Sequence, residues 1–131
     1  MKKIFFRLNI LFYLTNLGLF FLYFYPGSFL GLLLYKNRNL QPQITDDFVI
    51  SSNHFYVFFI ISVIGFFTYK KTKQIKFLKI YLILISILLE ISHLIIPSRS
   101  FQWSDLFGNL IGVIIVILLN NLINKYDLFK K

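Results

Sequence analysis

A few ionisable and amide side chains interrupt long apolar stretches of this sequence, and their types are those that bind anions or transfer protons. They are His54, Glu90, Arg99, Asp105 and Asn109. A charged residue at the centre of a membrane-spanning helix costs about 2.5 to 3.5 kcal/mol on insertion scales, so each one requires a physical reason. The planar guanidinium of arginine suits a phosphate or carboxylate, which makes Arg99 the candidate anion contact.

A second interpretation of these residues is catalytic. Glu90 and His93 are three residues apart and therefore share one face of a helix. With His54 and Asp105 they could hold a divalent metal that activates water, as in a membrane-embedded hydrolase. In a metal-free alternative, Glu90 and Asp105 act as an acid and base pair. The sequence favours a binding site with no metal or cofactor over both.

Each residue also has a purely structural interpretation. Glu90 and Arg99 could form an ion pair, and Ser104 with Asp105 could cap a helix, since acceptors and negative charge suit a helix N-terminus. Asn109 could form a hydrogen bond between helices. Gly108 and Gly112 form a pair of small residues four apart, which lets a neighbouring backbone approach closely.

The composition indicates a membrane protein. Of 131 residues, 57% are apolar and only 15% are charged, whereas soluble domains average about 45 to 50% and about 25%. This composition excludes disordered and collagen-like chains. The chain has no cysteine, which excludes disulfides, thiolate metal sites and cysteine nucleophiles.

Four apolar segments approach the roughly 20 residues that cross a membrane as a helix. They predict an all-α fold, a bundle of four transmembrane helices in one domain over residues 1–131, with spans at about 8–25, 48–69, 77–96 and 106–123. The segment Ser28 to Tyr35 is too short to cross and is expected either to lie at the interface or to extend the first helix with a kink.

The positive charges predict the orientation of these spans. The chain carries 14 Lys and Arg against 5 Asp and Glu, and most of the cations flank the apolar segments. They are grouped at Lys2, Lys3 and Arg7, at Lys70, Lys71, Lys73, Lys76 and Lys79, and at Lys125, Lys130 and Lys131. By the positive-inside rule we expect both termini to be cytoplasmic and the polar residues to face outward, in a multi-pass inner-membrane protein. This pattern also argues against nucleic acid as a partner.

Four short motifs resemble the VanZ-like family of small bacterial membrane proteins. They are Ser52-Asn53-His54-Phe55, Glu90-Ile91-Ser92-His93, Pro97-Ser98-Arg99, and the segment from Ser104 to Gly112. The family usually has Gln where this chain has His93, and often Lys where it has Asn53. The resemblance covers about Ser52 to Gly112.

The resemblance implies a cell-envelope protein, because the named member of the family is associated with low-level teicoplanin resistance. We therefore expect an outward polar pocket that binds a lipid headgroup or a lipid-linked wall precursor. Its residues would be His54, Glu90, Arg99, Asp105 and Asn109, with Gly108 and Gly112 packing helices. The remaining alternative is a small subunit of a membrane complex.

Overall fold

The fold is all-helical across the part of the chain that the computed structural model describes, residues 2–70 and 72–126, with residues 2–6 described by backbone alone. Three of the predicted basic residues, Lys71, Lys130 and Lys131, lie outside these ranges. The helices are α1 (Lys2–Phe24), α2 (Phe29–Tyr35), α3 (Ser52–Tyr69), α4 (Ile75–Ser92) and α5 (Trp103–Lys125).

Three of these helices contain a segment long and apolar enough to cross a membrane: Arg7–Phe24, Ser52–Tyr69 and Trp103–Lys125. The membrane character predicted from composition is thus supported by helix length. The third predicted span, 77–96, corresponds to α4, whose 18 residues include Lys76, Lys79 and Glu90. Each of the other three segments carries at most two charged residues.

The observed boundaries differ from the predicted ones where apolar residues continue past a helix end. The second span was expected from Phe48, but α3 begins at Ser52, and Phe48 is 97% exposed outside it. The Oδ1 atom of Asp47 accepts a hydrogen bond from the Ser52 backbone N–H at 2.7 Å, which satisfies an N–H group of the first turn of α3.

The third span was expected to reach Ile96, but α4 ends at Ser92, and the backbone N–H groups of residues 93–95 bond to carbonyls three residues back. Hydrogen bonds of this spacing form a tighter turn than the α-helix, so the α-helix ends here.

The turn after α1 resolves the Ser28 to Tyr35 segment into a separate short helix. Pro26 restricts the residue before it, and α1 ends at Phe24. Gly27 has a φ of 79°, a conformation that favours glycine, so the chain reverses direction there. The Ser28 Oγ then accepts the Gly31 N–H at 2.9 Å and caps α2.

The bundle core is formed by α1, α3, α4 and α5, with α3 and α5 in the most extensive contact. A Cβ on Gly108 or Gly112 would lie 2.7 Å from a backbone oxygen of α3 or the residue preceding it. These two glycines therefore allow the backbones to touch. The apolar core residues are Phe12, Leu19, Tyr23, Phe58, Ile61, Phe66, Leu78, Leu82, Ile85, Leu89, Val113 and Val116.

Candidate functional site

The polar residues singled out in the sequence gather at one end of the bundle, here called the polar end. It is formed by the C-terminal ends of α1 and α4, the N-terminal ends of α3 and α5, and the connection between α4 and α5. His54, His93, Glu90 and Asn109 are all buried there, at 6% exposed or less. At the opposite or basic end, Arg7, Lys70, Lys73, Lys76 and Lys125 are exposed.

Asn109 on α5 links all three other long helices. Its Nδ2 donates to the Ser86 carbonyl of α4 at 3.1 Å, which fixes the amide orientation and turns Oδ1 toward the bundle centre. The Tyr23 hydroxyl of α1 donates to that Oδ1 at 2.7 Å. The same hydroxyl lies 2.8 Å from His54 Nδ1 on α3, and Nδ1 lies 3.1 Å from Asn109 Oδ1.

These bonds admit two proton arrangements at His54. When the Tyr23 hydroxyl donates to Asn109 Oδ1, both oxygens near Nδ1 act as acceptors toward it and Nδ1 carries the ring proton. When the hydroxyl donates to Nδ1, the ring proton is on Nε2, which lies 3.4 Å from Asp105 Oδ2.

The two carboxylates approach His54 from different helices. Glu90 Oε2 lies 3.8 Å from His54 Nδ1 and 3.4 Å from His93 Nδ1, and it has no hydrogen-bond partner although Glu90 is 0% exposed. His54, Glu90 and Asp105 each offer one ligand atom such that all three lie within 4.8 Å of one another. His93, which the sequence also offered as a metal ligand, does not belong to this group of three. Its Nε2 atom is buried without a hydrogen-bond partner.

The start of α5 is stabilised by Glu90 rather than by its own side chains. Glu90 Oε1 accepts the backbone N–H of Gln102, the N-cap residue, at 3.1 Å. Gln102 makes no side-chain cap, and the Ser104 Oγ is directed to Asp105 Oδ1 at 3.3 Å. The structure thus differs from a cap made by Ser104 and Asp105, and Asp105 is left to face His54.

A tight turn positions Arg99. The Arg99 N–H bonds to the Ile96 carbonyl at 3.2 Å, and Ser98 has a φ of 60°. Proline at the second position and a positive φ at the third are features of a type II turn, which accounts for the Pro-x-Arg pattern.

The guanidinium of Arg99 contacts the end of α1 instead of a carboxylate. It donates to the Leu22 carbonyl at 2.9 Å and to the Tyr25 carbonyl at 3.4 Å. Among the described residues Arg99 makes no ion pair with Glu90 or Asp105, so the expected Glu90–Arg99 ion pair is absent there. The carbonyls at a helix C-terminus lack partners within the helix and attract a cation, which explains the preference.

Arg99 remains available as a positive charge. Burial lowers the pKa of its guanidinium, whereas nearby Tyr23, Glu90 and Asp105 raise it. An arginine is not deprotonated under protein conditions, so the side chain is cationic. Its two hydrogen bonds to α1 leave further N–H donors on the guanidinium.

Two adjoining cavities share the residues around Arg99. A polar cavity of about 400 Å³ is lined by Arg38, Arg99, Asp105 and the serines of the α4–α5 connection, among others. A mainly apolar groove of about 240 Å³ is lined by residues including Leu22, Phe29, Leu34, Ile44 and Val57. The walls common to both are Ser28, Gln41, His93 and Arg99.

Sequence reasoning missed Tyr23 and the role of Asn53. Phe12, Asn16, Leu19 and Tyr23 are the buried residues of α1 between residues 7 and 24, and their spacing of four, three and four defines one helix face that could have indicated Tyr23. The Asn53 side chain bonds to the Pro42 carbonyl at 2.7 Å and to the Ile44 N–H at 3.0 Å. It thereby holds the 42–44 segment over the apolar groove.

No family model, curated protein or solved structure matches this chain. Its own residues and their geometry are therefore the basis for a functional proposal.

Proposed function

We propose that this chain is a VanZ-like integral membrane protein of the bacterial cell envelope that binds an anionic amphiphile at its polar end. The observation that carries the proposal is the pair of adjoining cavities, one polar and one apolar, which share Arg99. A phosphate or carboxylate would contact Arg99, and an acyl or prenyl chain would lie in the groove between α2 and α3. Both a membrane lipid and a lipid-linked wall precursor have this chemistry.

The charges around the polar cavity support an anionic headgroup. Its lining includes Arg38 and Arg99 as cations against Asp105 as the carboxylate. The planar guanidinium of Arg99 forms paired hydrogen bonds with phosphate or carboxylate oxygens. His54 lines the apolar groove and Asn109 is fully buried, and both are hydrogen-bonded to Tyr23, so in this proposal they position the lining rather than contact the headgroup.

Convergence of the motifs supports the VanZ-like assignment. His54 and Asn109 are 55 positions apart in sequence, yet His54 lies in contact with Glu90, Asp105 and Asn109, so three of the four motifs meet. A shared arrangement of these residues is what a common binding role in the family would require.

We further propose that α4 is a fourth membrane span and that both termini are cytoplasmic. Its charges lie near its two ends, with Lys76 and Lys79 at the basic end and Glu90 at the polar end. The helix contacts α1, α3 and α5. At about 1.5 Å per residue its 18 residues cover about 27 Å, close to the hydrocarbon thickness of about 30 Å. The exposed cations of the basic end then lie in the cytoplasm by the positive-inside rule.

Lipid retention tests the binding proposal. Wild type and Arg99→Gln are purified in mild detergent from the same bacterial host, and retained lipids are identified by native mass spectrometry. Wild type is expected to retain an anionic lipid or a prenyl-linked precursor, and Arg99→Gln to lose most of it. Arg7→Gln, which removes the same charge from the exposed basic end, is the matched control and should behave like wild type.

Drug susceptibility tests the cellular role. Wild type, Arg99→Gln and Asp105→Asn are expressed at equal membrane levels in a Gram-positive host, and susceptibility to teicoplanin and vancomycin is measured. A shift for teicoplanin alone, lost in both variants, is the expected result. Equal susceptibility in all strains would contradict the resistance role, and unchanged lipid retention in Arg99→Gln would contradict the binding role.

A further inference from the structure

The ring orientation of His54 creates an unusual arrangement at Nε2. In the tautomer with the ring proton on Nδ1, facing Tyr23 and Asn109, the Nε2 of a neutral ring presents a lone pair. That lone pair then lies 3.4 Å from Asp105 Oδ2, which is itself an acceptor. Two acceptors at this distance repel each other unless a cation lies between them.

A second observation concerns the same cluster. Glu90 Oε2 is buried without a hydrogen-bond partner, although it lies 3.4 Å from His93 Nδ1 and 3.8 Å from His54 Nδ1. An unpaired buried carboxylate oxygen is strongly unfavourable, more so within a membrane. Its other oxygen is engaged by the start of α5, so the carboxylate is held in place from outside the cluster.

We propose that His54, Glu90 and Asp105 bind a divalent transition-metal cation, with Zn²⁺ the best match. The donors would be one ring nitrogen of His54 and one oxygen from each carboxylate, all within 4.8 Å of one another. Ligands about 2.1 Å from a tetrahedral ion lie about 3.4 Å apart, which matches the distance from Nε2 to Asp105 Oδ2. One neutral imidazole and two carboxylates bring a charge of −2, so a divalent ion neutralises the buried set.

The surroundings match those of histidine metal sites. A ligating histidine usually donates its other ring N–H to an oxygen that fixes the ring, and here Tyr23 and Asn109 take that position. Three protein donors leave a coordination position open, as in zinc sites that bind water or an exogenous ligand. Asp105 also lines the polar cavity, so the ion would lie at its edge. The proposal concerns the metal alone and does not depend on amphiphile binding.

Metal titration tests this inference. Full-length protein in detergent is stripped with a chelator and titrated with Zn²⁺ and Mn²⁺ by calorimetry, and with Co²⁺ by visible absorption, which reports coordination geometry. Wild type should bind one ion per chain. His54→Gln and Asp105→Asn should weaken binding by more than about 100-fold, beyond the range for outer-shell changes.

Two further variants separate loss of ligands from loss of fold. Tyr23→Phe removes only the hydroxyl that fixes the His54 ring, and it should weaken binding by about 10- to 100-fold while the protein elutes as wild type in gel filtration. Asp46→Asn removes a carboxylate from an exposed part of the same end and should leave binding unchanged. The proposal is overturned if wild type binds none of the three cations, or if the ligand variants bind like Asp46→Asn. A doubly protonated His54 ring in nuclear magnetic resonance spectra would then identify an ion pair with the carboxylates.

Discussion

At the polar end α3 and α5 meet through their backbones, whereas at the basic end the helices meet through side chains. A Cβ on Gly112 would lie 2.7 Å from the Phe55 carbonyl oxygen and 2.9 Å from the Phe59 nitrogen. A Cβ on Gly65, toward the basic end, would instead meet the ring of Phe12 at 2.8 Å and a methyl group of Leu78 at 3.1 Å.

The kind of contact determines how far each region can adjust. Side chains can change rotamer, and the basic end is filled by such groups, including Phe12 and Tyr69 with ring centroids 5.6 Å apart at 85°. Backbone atoms within a helix cannot move singly. The spacing of α3 and α5, and with it the positions of His54 and Asp105, is therefore fixed more tightly than the packing at the basic end.

The largest effect is expected from a side chain placed between the two backbones. Gly112→Val should lower the free energy of unfolding by about 3 kcal/mol, the upper part of the range for overpacked interiors, because α3 and α5 must separate. Gly65→Val should cost about 1 kcal/mol, since Phe12 and Leu78 can move. Unfolding by a denaturing detergent, followed by circular dichroism, measures both.

Gly18 supplies the control for these glycine substitutions. A Cβ there has no atom within 4 Å by the same construction, so Gly18→Val should be nearly neutral. Equal losses for Gly112→Val and Gly65→Val would remove the distinction between the two ends.

A smaller effect is expected from truncating a buried side chain at the basic end. Phe66 is 5% exposed and its neighbour Phe67 is 64% exposed. For helices that span a membrane as proposed above, Phe66→Ala should cost about 2 kcal/mol, less than in a soluble core, because lipid surrounds the separated helices and only packing is lost. Phe67→Ala, measured by the same unfolding titration, should cost little, and a larger loss for Phe67 than for Phe66 would contradict this packing.

The smallest effect should come from two buried serines that differ in hydrogen bonding. Ser62 and Ser86 are both 0% exposed, but Ser86 donates to the Ile83 carbonyl at 2.8 Å whereas the Ser62 hydroxyl has no partner. Ser62→Ala should leave stability unchanged or raise it by up to about 1 kcal/mol, because an unpaired polar group is removed. Ser86→Ala should lower it by about 0.5 to 1 kcal/mol. The reverse order in the same assay would show that Ser62 has a partner.

The helical class and the approximate position of every long helix could be predicted from the sequence. Apolar segment length indicated the long helices, and Pro26 indicated the end of α1, because both signals are local. The start of α3 was wrong by four residues, since Phe48 and Val49 are as apolar as a helix core yet lie exposed before it. Hydrophobicity alone could not show that Asp47, which precedes α3, accepts a hydrogen bond from the backbone of its first turn.

The sequence singled out most of the residues that gather at the polar end, but not their pairings. The short connection between α4 and α5 indicated that Glu90 and Asp105 would lie near each other, but not that Arg99 would contact α1. That contact depends on α1 ending beside the turn at Ser98, which no residue pattern encodes. Tyr23 escaped notice because a tyrosine near a helix end is typical of a membrane interface.

The position of Asn109 has a consequence for how the chain assembles during synthesis. Asn109 and Asp105 lie on α5, which follows the other described helices along the chain. The side-chain amide of Asn109 contacts Tyr23, His54 and the Ser86 carbonyl. Until α5 packs against the other helices, His54 lacks its Asn109 and Asp105 partners, and the Ser86 carbonyl lacks the Asn109 bond. A ribosome stalled before α5 would therefore hold a half-completed bundle whose buried polar groups still lack these partners.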